Sequence, residues 1–117
     1  MTKGLYQYVR DAWKKPDKKK LRELMVKWRK DNAVTKLEKP TRIDRARSLG
    51  YKAKKGYIVV RVRIPRGGRQ RARTNKGRKS KRHTIRKVVK MNYRWISEIR
   101  AQKKFPNLEV LNSYYFF

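Results

Sequence analysis

The stretch YIVVRVRI, residues 57–64, decides the fold class because every second side chain from Ile58 onward is aliphatic and both arginines fall between these positions. Successive side chains of an extended chain point to opposite faces, so Ile58, Val60, Val62 and Ile64 share one face. The other face holds both arginines of the stretch and is basic. The pattern predicts a half-buried β-strand with a basic outer face.

Two amphipathic helices and a short strand precede this stretch. Residues 5–15 form the first predicted helix, Pro16 ends it, and Asp17 is placed to cap the second. Each helix has a narrow apolar stripe at helical spacing: Leu5, Tyr8, Val9, Ala12 and Trp13 in the first, and Leu21, Leu24, Met25 and Trp28 in the second. A stripe of this kind is typical of a core-facing helix, and a docking surface for a partner is the alternative. Residues 33–37 favour a short strand.

A third, short helix is predicted just after Pro40. Thr41 followed by Asp44 indicates a capped start, with Ile43, Ala46 and Leu49 facing inward. Gly50 is placed to end this helix in the left-handed conformation.

After residue 64 the composition becomes basic, and apolar residues almost disappear as far as residue 81. We expect this stretch not to fold on its own. Helical periodicity returns from Ile85 to Ile99 and ends before Phe105. Residues 108–117 are rich in β-branched and aromatic residues, which predicts a strand. A hydrophobic strand ending there would have an unpaired edge, so we expect further chain or a covering partner.

The charge of the 117 residues is dominated by lysine and arginine. Their sum is 37 against 8 acidic residues, giving a net charge of +29. Twenty of these cations lie between Asp44 and Glu98, a span that contains no acidic residue.

The length of the chain suits one domain with one small core. The apolar runs are far shorter than a membrane-spanning helix needs, so a membrane location is not expected.

The residues needed for catalysis are scarce. Cysteine is absent and His83 is the single histidine, which excludes disulfides, cysteine-based zinc sites and paired-histidine metal sites. None of the acidic residues lies beside another in sequence, and the run GRKS at 77–80 lacks the spacing of a phosphate-binding loop. We therefore expect no enzyme activity, no cofactor, no metal and no small-molecule substrate.

A dense cationic tract without acids is suited to binding a phosphate backbone, because each bound cation releases condensed counterions. Gly67 and Gly68 would let the backbone approach phosphates closely. Tyr51 and Tyr57 could stack on bases or be ordinary tyrosines. The charge is spread over helices, a strand face and a loop, which favours folded RNA. The alternative is a basic chromatin or DNA-compacting protein. An anionic membrane surface is a third possibility, which the interrupted apolar faces do not favour.

Four stretches of the sequence resemble segments of one known protein family. Residues 39–57, KPTRIDRARSLGYKAKKGY, resemble the signature of the ribosomal protein fifteen family of the archaeal and eukaryotic large subunit. So do VRVR at 60–63 followed by RGGR at 66–69, PNLEVLNSY at 106–114 and the opening YQYVRDAW at 6–13. The sequence at 106–114 is more similar to archaeal than to eukaryotic members of the family.

The resemblance implies a single α+β domain with a small antiparallel sheet, packed helices and a long basic RNA-binding loop. Its expected segments are the N-terminal helices at 1–32, a helix and strand at 33–64, the loop at 65–90, and a helix and strand at 91–117. It implies a cytoplasmic ribosomal protein that binds large-subunit ribosomal RNA beside other ribosomal proteins and has no catalytic role. Because family members continue past residue 114, we expect the chain to be C-terminally incomplete or altered in its last residues.

The expected RNA-binding residues follow from the resemblance and from the basic tract. We also expect the segment from Pro65 to Arg82 to be disordered in the free protein and ordered on RNA. The predicted contacts are Arg42, Arg45, Arg47, Tyr51, Lys52, Lys54, Lys55, Arg61, Arg63, Arg66, Gly67, Gly68, Arg69, Arg71, Arg73, Lys76, Arg78, Lys79, Lys81, Arg82, Arg86 and Lys87.

Overall fold

A computed structural model describes residues 2–68, 76 and 89–116. Four helices and two strands occur in this part of the chain, which confirms the α+β class. Most of the expected basic loop at 65–90 lies outside the described residues. The elements are α1 (Leu5–Lys14), α2 (Lys18–Lys30), β1 (Val34–Leu37), α3 (Ile43–Ser48), β2 (Val59–Val62) and α4 (Tyr93–Lys104).

The two strands form an antiparallel ladder, and both were predicted from the sequence. Val34 pairs with Val62 and Leu37 with Val59. The Arg63 N–H, just past β2, donates to the Ala33 carbonyl at 2.8 Å. β2 is shorter than the alternating stretch because β1 offers four residues as ladder partners.

The start of α2 matches its prediction, whereas the stripe of α1 is buried only in part. The Asp17 side chain accepts a hydrogen bond from the Lys19 N–H at 3.0 Å, which is the expected N-cap. In α1, Trp13 is half-buried, but Leu5 is 73% exposed and Tyr8 is 61% exposed. α1 packs on α3, which is shorter: its six residues span about 9 Å against about 15 Å for α1. α3 is therefore too short to cover the whole stripe of α1.

The start of α3 differs from the prediction. Arg42 occupies the N-cap position and makes no side-chain cap bond, so a cap by Thr41 is wrong. The Thr41 hydroxyl instead shares a hydrogen bond of 2.8 Å with the Tyr114 hydroxyl, a partner 73 residues away. The Thr41 hydroxyl, which would have capped the helix locally, is therefore engaged by Tyr114 instead.

The inward face of α3 also differs in one position. Ala46 is buried as expected, but Ile43 is 37% exposed and the buried neighbour is Asp44. The end of the helix follows the prediction, because Gly50 has a φ of +99° in the left-handed region.

α4 begins later than the helical period suggests. The predicted helix included residues 89–92, yet these are not helical and α4 starts at Tyr93. The Asn92 side chain accepts from the Trp95 N–H at 2.8 Å, so this residue caps the helix instead of continuing it. Its end at Lys104 matches the expected stop before Phe105.

The predicted strand at 108–117 is wrong for the described residues 108–116, which belong to no strand. This segment follows α4 in the opposite direction. The Gln102 side chain bonds the Leu108 carbonyl and the Val110 N–H near one end, and Arg94 holds Asn112 near the other. β-propensity alone does not make a strand when no neighbouring strand is present to form a ladder.

The core of the described part is small. Ala46 is its one buried apolar residue, and a cluster of three aromatic rings adds to it. The Phe116 ring makes edge contacts with the Trp13 ring at 5.3 Å and the Trp28 ring at 4.9 Å between centroids. This cluster joins α1, α2 and the last segment.

Gly50 provides a test of the turn that follows α3. An added Cβ would meet no atom within 4 Å, so the cost of Gly50→Ala comes from the backbone conformation alone. We expect it to lower the free energy of unfolding by about 1 kcal/mol, and Gly50→Asn to lower it by less. Denaturant unfolding followed by circular dichroism measures both. An alanine variant as stable as the parent chain would contradict the assigned turn.

Candidate nucleic-acid interface

Four of the eight acidic residues, all of which the structure describes, make internal ion pairs. Asp11 lies between two lysines, and their ammonium groups, Lys14 first and then Lys3, lower the pKa of its carboxyl group. The remaining cations therefore outnumber the carboxylates available to them. The pairs are Asp11 with Lys3 at 3.1 Å and Lys14 at 2.9 Å, Asp31 with Arg61 at 2.6 Å, Asp44 with Arg42 at 3.2 Å, and Glu98 with Arg94 at 3.3 Å.

A first group of predicted site residues is exposed and makes no side-chain bond within the described ranges. It comprises Arg45 on α3, Lys52 and Lys55 in the turn after it, and Arg66 beyond β2. The turn has backbone bonds of its own, including Lys54 N–H to the Lys52 carbonyl at 2.9 Å. These four side chains, named here the open cations, are free to meet phosphate.

A second group is exposed but rests on an aromatic ring. The Arg47 guanidinium lies 5.7 Å from the centroid of the Tyr6 ring. The Lys54 ammonium lies 5.4 Å from that of Tyr57. A cation over a ring keeps its charge and its outward donors while losing some of its freedom of movement. Tyr51, the other proposed stacking residue, is half-buried.

Of the two arginines predicted on the basic face, Arg61 on β2 is turned inward against α2, whereas Arg63, just past β2, is exposed. Arg61 is 14% exposed, with its guanidinium 2.6 Å from the Asp31 carboxylate and 4.6 Å from the centroid of the Trp28 ring. Arg63 donates to the carbonyls of Trp28 at 3.2 Å and Arg29 at 2.7 Å, near the end of α2. These bonds satisfy carbonyls left without helical partners. Arg61 is thus occupied inside the fold and Arg63 is bonded to α2 while staying exposed, and contact of either with RNA stays a prediction.

Arg42 joins α1 to α3. Its guanidinium lies 3.2 Å from Asp44, whose side chain is 2% exposed, and 5.4 Å from the centroid of the Trp13 ring. Within the described part, Arg42 Nε and Asp44 Oδ1 have no hydrogen-bond partner. A buried pair with this much desolvation depends on both charges being present.

The start of the basic loop is fixed to α4. Gly67 has a φ of +94°, and its N–H donates to the Tyr93 hydroxyl at 3.0 Å. Gly68 and Lys76 are exposed. The other predicted contacts lie outside the described residues: Arg69, Arg71, Arg73, Arg78, Lys79, Lys81, Arg82, Arg86 and Lys87.

Sequence reasoning missed the groups that hold the internal arginines. Asp31 and Trp28 lie about one quarter of the chain away from Arg61, so no local spacing pointed to them. The two-residue spacing of Arg42 and Asp44 was a usable signal. In the residues that the structure describes, no helix is long and apolar enough to cross a membrane, and no cluster of metal-ligating side chains is present.

The fold and this surface define a class, namely a small, strongly cationic α+β protein with little buried core. Residues 4–117 match the family model described as Ribosomal L15, of the Ribosomal_L15e family. The chain is 55% identical over 120 residues to the "Large ribosomal subunit protein eL15" of Methanocorpusculum labreanum, covering 98% of this chain and 62% of that protein. It is 49% identical over 120 residues to the protein of the same name from Methanocella arvoryzae, covering 98% and 61%.

The chain therefore belongs to the Ribosomal L15e family. This confirms the resemblance found in the sequence, including its archaeal character. The chain spans about three fifths of the length of the curated relatives it matches.

The buried pair of Arg42 and Asp44 provides a stability test. Asp44→Ala leaves a guanidinium that is mostly buried without its counter-charge, and we expect a loss of about 3 kcal/mol in the free energy of unfolding. The control is Asp11→Ala, which removes an exposed carboxylate with two lysine partners and should cost far less. Denaturant unfolding measures both, and equal losses would contradict the structural role of the pair.

Proposed function

We propose that the chain is a structural constituent of the large ribosomal subunit and stabilises folded large-subunit ribosomal RNA through lysine and arginine contacts to phosphates. The observation that carries this proposal is the set of open cations, four exposed side chains that no carboxylate of the described part neutralises. Membership of the Ribosomal L15e family supports the same role.

The proposed mechanism is electrostatic and positional. Each open cation that meets a phosphate releases condensed counterions, which favours binding at low salt. α3 and the turn after it set where Arg45, Lys52 and Lys55 stand, so the binding surface needs little reorganisation. The arginines add planar forks that can bond a phosphate through two N–H groups.

The location and partners belong to the same proposal. Both curated relatives are named as proteins of the large ribosomal subunit. We place this chain in that subunit in the cytoplasm, in contact with its RNA and with neighbouring ribosomal proteins. In this role the protein binds and stabilises folded RNA and catalyses no reaction.

A charge-matched pair of variants tests which cations bind. The triple variant Arg45→Gln, Lys52→Gln, Lys55→Gln removes three open cations, and we expect the slope of log K against log salt to fall by about 2 to 3 for a large-subunit RNA fragment. The control, Lys18→Gln, Lys19→Gln, Lys20→Gln, removes the same charge from exposed positions on α2 outside the predicted site. Filter binding over a salt series gives both slopes.

The control variant should keep most of the parental slope. Equal reductions in the two variants would mean that net charge, and not the proposed surface, governs binding.

Competition between nucleic acids tests the class of partner. At one fixed salt concentration, we expect a folded large-subunit RNA fragment to displace labelled RNA at a lower concentration than duplex DNA of equal length. The expectation follows because the charge is spread over several faces, whereas a straight duplex presents one. Equal competition by the duplex would favour the DNA-compacting alternative.

A further inference from the structure

Three arginines of the described part lie over an aromatic ring, and one of them differs from the other two. Arg42 and Arg61 are each paired with a carboxylate, which uses their charge inside the fold. Arg47 lies 5.7 Å from the centroid of the Tyr6 ring, is exposed, and has no carboxylate partner within the described residues. The ring therefore restrains the Arg47 guanidinium without neutralising it.

The backbone of Arg47 is already fixed, so its side chain is the part that the ring orders. Arg47 lies in the last turn of α3, and its carbonyl accepts a hydrogen bond from the Gly50 N–H at 3.1 Å. An unrestrained arginine side chain samples many rotamers, and it loses this freedom when it binds a partner. A ring that orders the side chain in the free protein reduces that loss.

Tyr6 is itself held in place by the residues around it. The Gly4 carbonyl accepts a hydrogen bond from the Gln7 N–H at 3.0 Å. Ahead of α1, the Lys3 ammonium lies 3.1 Å from the Asp11 carboxylate. Both contacts hold the first turn of α1, which contains Tyr6.

A second contact between α1 and α3 sets the position of the Tyr6 ring along the two helices. Tyr6 and Trp13 are seven residues, or two turns, apart on α1, which places both on one face about 10.5 Å apart along the axis. Trp13 meets Arg42 at the start of α3. Tyr6 meets Arg47 in the last turn of α3. α1 therefore lies along α3 with one ring at each end of the shorter helix.

We propose that Tyr6 is a positioning residue for RNA binding, because its ring holds the Arg47 guanidinium in the orientation that meets phosphate. This inference rests on the proposed function and adds to it a residue that raises affinity without contributing charge. Tyr6 was not among the contacts predicted from the sequence. Its link to Arg47, 41 positions later in the chain, is seen only in the fold.

RNA binding by Tyr6 variants tests this proposal. Tyr6→Leu removes the ring and keeps an apolar residue with good helix propensity, so we expect the affinity for a large-subunit RNA fragment to fall about two- to fivefold. The slope of log K against log salt should stay unchanged, because no cation is lost. Tyr6→Phe keeps the ring and should bind as the parent chain does. Filter binding over a salt series measures the affinity and the slope for each variant.

Tyr8→Leu is the matched control. Tyr8 lies on the same helix, is exposed, and contacts no cation or ring within the described residues. We expect Tyr8→Leu to bind RNA with the parental affinity. Equal losses from Tyr6→Leu and Tyr8→Leu would overturn the proposal, because the effect would then not depend on a contact with Arg47.

A double-mutant cycle with Arg47 separates positioning from helix packing. Arg47→Gln should lower the salt slope by about 1, and in this background Tyr6→Leu should cause no further loss of affinity. A helix-packing role would give the same loss in both backgrounds, and that result would overturn the proposal. A loss in Tyr6→Phe equal to that in Tyr6→Leu would also overturn it, because the hydroxyl group and not the ring would then be responsible.

The free protein gives a further readout that does not involve RNA. Nitrogen-15 relaxation of the Arg47 Nε–H group reports its motion, and the order parameter should fall in Tyr6→Leu and keep its parental value in Tyr6→Phe. An unchanged order parameter in Tyr6→Leu would contradict the restraint. A parent chain that does not bind RNA would overturn the proposed function and leave this readout intact, so the two failures are distinguishable.

Discussion

Two arginines, each held by one carboxylate and one tryptophan, are the contacts on which the described fold depends. Arg42 lies between Asp44 and Trp13, and Arg61 lies between Asp31 and Trp28. Phe116 contacts both tryptophan rings and so links the two arrangements. With so few apolar residues buried, flat guanidinium groups and aromatic rings provide packing that aliphatic side chains provide in most domains.

This use of arginine separates the cations that hold the fold together from those that are open to solvent. Arg42 and Arg61 are paired with carboxylates inside the fold and Arg63 is bonded to α2 carbonyls, whereas the open cations are exposed and make no side-chain bond in the described part. Carboxylates hold Arg42 and Arg61, and backbone carbonyls of α2 hold Arg63. A polyanion that binds the outward set would also relieve the repulsion that a net charge of +29 creates in the free protein.

The sequence predicted the features that depend on neighbouring residues and missed those that depend on distant ones. The Asp17 cap, the Gly50 turn and both strands follow from local patterns, and the structure confirms them. The Thr41 cap failed because its hydroxyl bonds Tyr114, and the inward position of Arg61 could not be foreseen because Asp31 is 30 positions away. The stretch at 108–117 has the β-branched and aromatic composition of a strand, but in the described part no neighbouring strand pairs with it.

The division of the cations is tested most directly by chemical modification of the protein, free and bound to a folded large-subunit RNA fragment. Phenylglyoxal labels arginine and an N-hydroxysuccinimide ester labels lysine, and mass spectrometry reads each site. The account predicts that RNA protects Arg45, Lys52, Lys55 and Arg66, leaves Lys18 reactive, and finds Arg61 unreactive in both states. Open cations that react equally with and without RNA, or a reactive Arg61 in the free protein, would contradict it.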